Sequence, residues 1–195
     1  MDKVNFKSVL ATVIIASVMT SPLAFAQDPV PPGTAAGKIH FTGDIVTPSC
    51  VINGDDGTTI NVPLGTYLTT DFPKTGSKST QKDFSISLKD CPATSAGLKR
   101  VHLTFSGETA LTGNTKLLDI PGEPDAVATG VGIAITTKDA PEDYLAFDES
   151  SEVEVLLVDN GMDIQTDFYA QYVSFKDAVT AGPANADLTI NILYR

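Results

Sequence analysis

The sequence predicts an all-β protein built as a sandwich or barrel of short strands. Three observations carry this. Short segments alternate apolar and polar residues from Thr58 to the end of the chain, which is the period of a strand with one buried face. Gly, Pro, Asn and Asp interrupt the long gaps between those segments, and these are the residues that turns require. No stretch of the body combines helical periodicity with start and stop signals, so no amphipathic helix is expected.

The elements follow in chain order. Lys3 and Lys7 flank the start of an apolar run from Val9 to Met19, broken only by Thr12 and Ser17, and Ala24-Phe25-Ala26 follows. A basic start, a short apolar region and an A-x-A site make residues 1–26 a signal peptide, with the mature chain starting at Gln27. The apolar run is shorter than the ~20 residues a membrane-spanning helix needs, so no stable membrane anchor is expected. Gln27 to Gly37 holds three prolines and two glycines and reads as an extended leader outside any core. Lys38 to Ile45 then alternates, with Ile39, Phe41, Gly43 and Ile45 on one face. Residues 27–46 are thus an N-terminal extension carrying a spare strand, and 47–195 form the body.

Within the body, Asn53-Gly54-Asp55-Asp56-Gly57 is a turn and Thr58 to Leu64 a strand. Phe84, Ile86 and Leu88 alternate with serines up to Cys91, and Val101, Leu103 and Phe105 alternate with His102 and Thr104. Gly130 to Ile135 is more continuously apolar, as expected where both faces are covered. Val153 to Val158 and Phe168 to Phe175 are further strands. The chain ends on Asp187 to Arg195, with Leu188, Ile190, Ile192 and Tyr194 on one face and only Leu193 out of step. A domain that ends on a core strand and starts with a spare one can be completed by another copy of itself. That points to polymerisation rather than catalysis.

Composition narrows the class. The net charge of −11 argues against nucleic acid or an anionic membrane as partner and suits solubility at high local concentration. Cys50 and Cys91 are the only cysteines. In an exported chain an even count suggests one disulfide, whose loop of about 40 residues contributes roughly 4 kcal/mol on the chain-entropy argument. A metal pair has no supporting ligand spacing. Tryptophan is absent, which disfavours an antibody-type core around a buried Trp.

Nothing in the sequence carries catalytic chemistry, and no cofactor is expected. His40 lies opposite Ile39 and Phe41, and His102 sits between two apolar strand residues; both read as solvent-facing strand positions rather than general bases. Gly130-Val131-Gly132 lacks the third glycine and the helix of a dinucleotide fingerprint. Glu142, Asp143, Asp148, Glu149, Glu152 and Glu154 could supply paired carboxylates or a calcium site. No Asp-x-Asp-x-Asp-Gly spacing occurs, so they read as a solvated loop and strand edge.

Several segments together resemble the pilin subunits of chaperone–usher fimbriae, in particular type 1-like major pilins. Gly37 to Val46 is similar to the family's N-terminal donor strand, with its small residue at Gly43, and Cys50 follows closely as the first pilin cysteine does. Gly130-Val131-Gly132-Ile133 and Phe168-Tyr169-Ala170-Gln171-Tyr172 resemble internal pilin strands. Ala181-Gly182-Pro183-Ala184-Asn185-Ala186, leading to the penultimate Tyr194, resembles the C-terminal motif. The resemblance implies an incomplete immunoglobulin-like β-sandwich that lacks its last strand and is completed by a donor strand from the neighbouring subunit. Its implied partners are other copies of itself or related pilins, a periplasmic chaperone, an outer-membrane usher and tip adhesin subunits. The implied location is a cell-surface fimbrium used in adhesion. A minor or adaptor subunit is the alternative within fimbriae. A monomeric carbohydrate-binding sandwich is the alternative from another class, and it should show aromatic platforms that the scattered tyrosines do not form. Strand addition draws affinity from the ladder and register from side-chain pockets. Burying Ile39, Phe41 and Ile45 in the acceptor would contribute at most about 5–8 kcal/mol.

Overall fold

The computed structural model describes residues 37–42, 45, 50–95, 97–158 and 163–195. The expected signal peptide, the leader up to residue 36 and Gly43 lie outside the described residues. The chain divides into two units, Met1–His40 and Phe41–Arg195. In the first, residues 37–40 are exposed and carry no regular structure.

The larger unit contains β1 (Val51–Ile52), β2 (Lys82–Lys89), β3 (Arg100–Ser106), β4 (Val131–Thr137), β5 (Val153–Leu156), β6 (Ile164–Ser174) and β7 (Thr189–Leu193). A single 3-10 turn at Thr69–Asp71 is the one helical element among the described residues. One sheet has the order β1-β2-β6-β4 and the other β5-β3-β7. Each ladder between these strands is antiparallel.

Alternation places the core between the sheets. Ile86 and Leu88 of β2, Ile133 and Ile135 of β4, and Phe168 and Ala170 of β6 face Val101, Leu103 and Phe105 of β3 and Val153 and Val155 of β5. Phe168 is the hinge of this packing. It stacks on Phe84 of its own sheet at 5.3 Å and meets Phe105 of the facing sheet edge-on at 5.8 Å. Such aromatic pairs add ~0.5–1.5 kcal/mol beyond their buried area. β4 is buried from Val131 to Thr136, because Leu117, Ala134 and Val173 form a second small cluster on the outer face of the sheet.

Apart from Thr58 to Leu64, the expected strands of the body are present with shifted ends. β6 begins at Ile164 rather than Phe168, and the last strand is confined to Thr189–Leu193. Thr58 to Leu64 is not a strand. It keeps the alternating burial of one, with Ile60, Val62 and Leu64 turned inward, but beyond the isolated Asp56–Thr59 bridge it has no ladder. The physical reason is that its flank faces an open cleft instead of a neighbouring strand, and Pro63 has no N–H to give.

Gly130 shows why glycine is required at the entry to β4. Its φ is +81°, and a Cβ there would lie 2.5 Å from the Ala178 carbonyl oxygen. Gly130→Ala is therefore expected to destabilise the body by about 1–3 kcal/mol. The check is a lowered denaturant midpoint with an unchanged slope.

Candidate functional site

β7 forms ladder bonds with β3 alone, from His102 opposite Leu193 to Ser106 opposite Thr189. Its other edge has no ladder partner among the described residues. An unpaired edge of this kind offers a row of backbone donors and acceptors to an incoming strand. Beside it the sheets part over a cleft of about 720 Å³. Leu188, Ile190 and Ile192 form one wall, and Ile60, Val62 and Leu64 the other. Ile86, Phe105 and Ile133 form the floor, and all three belong to the core between the sheets. Both walls are made mostly of half-buried side chains that pack on the core and also border the cleft. The cleft is thus an apolar slot with hydrogen-bonding groups along one rim.

Tyr194 does not line the cleft. It packs against the core, and its hydroxyl accepts the Cys50 N–H at 2.9 Å. This bond ties the end of β7 to the start of β1, which belongs to the opposite sheet. Cys50 is itself bonded to Cys91, so the disulfide clamps the entry to β1 against the exit from β2 at the same end. Replacing both cysteines by serine is expected to cost about 2–5 kcal/mol. Thermal unfolding of the oxidised wild type and of the double variant measures this. Two reactive thiols in the unreduced protein would reject the bond.

The described residues of the segment expected to be donated, 37–42 and 45, form no strand. Ile39 is 81% exposed, Phe41 86% and Ile45 fully exposed. Leaving three large apolar side chains in water forgoes about 1.5–3 kcal/mol each.

Most of the candidate charged residues have structural partners. His102 is not freely solvent-facing as expected. It is half-buried on the outer face of β3, with Nδ1 3.3 Å from a Glu152 carboxylate oxygen. Glu152 also accepts from the Arg195 guanidinium, and Glu154 from Arg100 at 2.8 Å. Glu149 accepts from Asn191, and Glu142 from Lys78. The Ser150 hydroxyl and N–H hold the Asp148 carboxyl below its ordinary range. No group of three or more His, Cys, Asp or Glu among the described residues is arranged to hold a metal ion.

The sequence did not reveal a second cavity, of about 340 Å³, at the end of the sandwich where the chain enters β7. Tyr67, Phe72 and Tyr172 line it, with Tyr67 edge-on to both other rings. The Tyr172 hydroxyl donates to the Ala184 carbonyl at 2.7 Å. Burial, with a smaller contribution from Tyr67, raises its pKa above the ordinary phenol value, which keeps this donor protonated.

The unpaired β7 edge beside an open apolar cleft defines a β-sandwich protein that lacks a strand, and comparison with known proteins gives its family. Residues 39–195 match the fimbrial protein family, and the chain belongs to that family. It is 38% identical over 165 residues to a type-1 fimbrial protein subunit of Serratia marcescens, covering 83% of this chain and 88% of that one. It is 33% identical over 189 residues to the fimbrial subunit type 1 of Salmonella typhimurium, covering 95% and 97%. The fold is similar to that of the P pilus rod subunit PapA, with a TM-score of 0.55 at 24% identity over 82% of this chain and 99% of that one. A chaperone–usher pilus structure gives 0.57 at 24% identity over 86% and 99%. The protein is a structural fimbrial subunit and not an enzyme.

Proposed function

We propose that this subunit polymerises by strand donation. Residues 37–46 of one copy enter the cleft of the next, with Ile39, Phe41, Gly43 and Ile45 facing inward against Leu188, Ile190 and Ile192. The observation that carries the reading is the unpaired edge of β7 beside a cleft floored by core side chains. The donor backbone would satisfy that edge while its apolar face fills the slot. Before assembly the same slot would need a chaperone strand in the periplasm, handed over at an outer-membrane usher. Other pilins and a tip adhesin would complete the surface filament used in adhesion.

Negative-stain imaging of the assembled wild-type chain tests this. Long uniform rods are expected. Purely monomeric material under assembly conditions would sink the reading.

A further inference from the structure

β7 is held on both faces as well as along one edge. Ile190 and Ile192 pack inward on the core. Alternation turns Asn191 and Leu193 to the outer face, which antiparallel sandwiches commonly leave to water. Leu193, the apolar residue out of step in the sequence, is half-buried there and pairs with His102 of β3. Thr104, on the same face of β3 and paired with Asn191, is 1% exposed. This part of the outer face is therefore covered.

A bulge ahead of β5 reaches over it. Leu103 pairs with Val153, and Ser106 bridges to Asp148. Three steps along β3 thus face five along its partner, which leaves two residues in excess. The Ser150 hydroxyl and N–H donate to the Asp148 carboxylate, and the Ala146 N–H donates to the Ser151 hydroxyl. Glu149 takes a φ of +66°, a conformation that is costly for a residue with a Cβ. Bulges re-aim side chains, and this one sends two carboxylates across β3, which lies between β5 and β7. Glu149 accepts from the Asn191 amide at 3.2 Å. Glu152 accepts from Arg195, just past the end of β7, and lies 3.3 Å from His102 Nδ1.

β7 is the last strand in the chain, with a ladder on one side only among the described residues. Such a strand opens locally at a low free-energy cost. A donor can pair with β7 only while it lies extended against β3. The apparent dissociation constant of the donor is the intrinsic one divided by the fraction of acceptors in that state. Whatever holds β7 down before the donor arrives therefore strengthens capture.

We propose that Glu149 and Glu152 are positioning residues for strand acceptance. They strap β7 from its outer face, so that its free edge stands formed when a donor arrives. The proposal rests on the strand-donation reading. Once the donor is seated, ladders hold β7 on both edges and the strap adds little. Losing the strap therefore slows capture without speeding release. The Glu149 backbone fits this role, because its strained conformation is what brings the carboxylate to Asn191.

Assembly of the full chain, and hydrogen exchange of the unassembled chain, test it. Glu152→Gln is expected to slow assembly about two- to fivefold, the range that one part-exposed ion pair commands. The β7 amides bonded to β3 should exchange faster by a similar factor, with β2 and β6 unchanged. Swapping the charges, with Glu152→Arg and Arg195→Glu together, should restore the rate. Glu149→Gly removes the other arm but relieves the positive φ. Its denaturant midpoint should hold or rise while its assembly slows, whereas a purely structural role would move both together. Glu154→Gln loses the Arg100 ion pair, which does not reach β7, and should assemble at the wild-type rate. Filaments of every variant should release subunits in denaturant as the wild type does. Wild-type assembly rates for both Glu152→Gln and Glu149→Gly, unchanged β7 exchange, or faster release without slower capture would each overturn the strap and leave strand donation standing. If wild-type chains form no filament, strand donation fails and the positioning role fails with it.

Discussion

Phe41→Asp is expected to abolish polymerisation while leaving the unfolding of the body unchanged. Phe41 is 86% exposed in the single chain, so the body loses no packing. In the acceptor cleft the same position would exchange a buried ring, contributing about 1.5–3 kcal/mol, for a carboxylate with no partner. The apolar floor of Ile86, Phe105 and Ile133 offers that carboxylate no hydrogen bond, and such burial costs several kcal/mol. At 1.4 kcal/mol per tenfold, the affinity of donor for acceptor should fall roughly a hundredfold or more. Gly43→Leu is expected to act in the same direction through bulk, since overpacking costs typically 1–3 kcal/mol. His40→Ser, on the opposite face, should assemble normally. Sedimentation of assembled material from the three variants measures all of this. Equal polymer from all three would show that the inward face of the donor is wrongly assigned.

What the sequence disclosed depended on how far each feature reaches along the chain. Ile86 and Leu88, Val101 to Phe105, and Leu188 to Ile192 alternate cleanly because each strand has one face on the core. They were therefore legible one segment at a time. The disulfide was legible because only two cysteines exist to form it. Thr58 to Leu64 misled for the opposite reason. Its alternation reports burial of Ile60, Val62 and Leu64, but a strand also needs a partner, and partners are not written in a local pattern. After Ile164, the start of β6 from Gln165 to Asp167 is polar, and Ser85, Gln165, Asp167 and Lys138 bond to one another on the outer face. A hydrophobic pattern passes over such a network. The cleft was half legible. Leu188, Ile190 and Ile192 declared one wall, while the other wall and the aromatic cavity are assembled from segments far apart in the chain. The same holds for His102, whose cover comes from Glu152, itself held by Arg195.

Appending a short flexible linker and a copy of residues 34–46 after Arg195, on a body that starts at residue 47, is expected to yield a stable monomer. The geometry favours this because β7 ends at the disulfide end, where an antiparallel donor must enter. A hairpin-length connection of a few residues therefore suffices, whereas a parallel donor would need a crossover of a dozen or more residues. Linking raises the effective concentration of the strand to the millimolar range, so each molecule completes itself rather than its neighbour. Filling the cleft with Ile39, Phe41 and Ile45 adds up to about 5–8 kcal/mol. For a body of this size each kcal/mol is worth ~2–4 °C, so the melting temperature should rise by up to ~10–30 °C. The body without the appended strand keeps its unpaired β7 edge and open apolar slot, and it is expected to aggregate readily. Scanning calorimetry and light scattering on the two proteins decide the matter. If the truncated body alone were monomeric and equally stable, the sandwich would be complete without a donor, and β7 would be an ordinary edge strand.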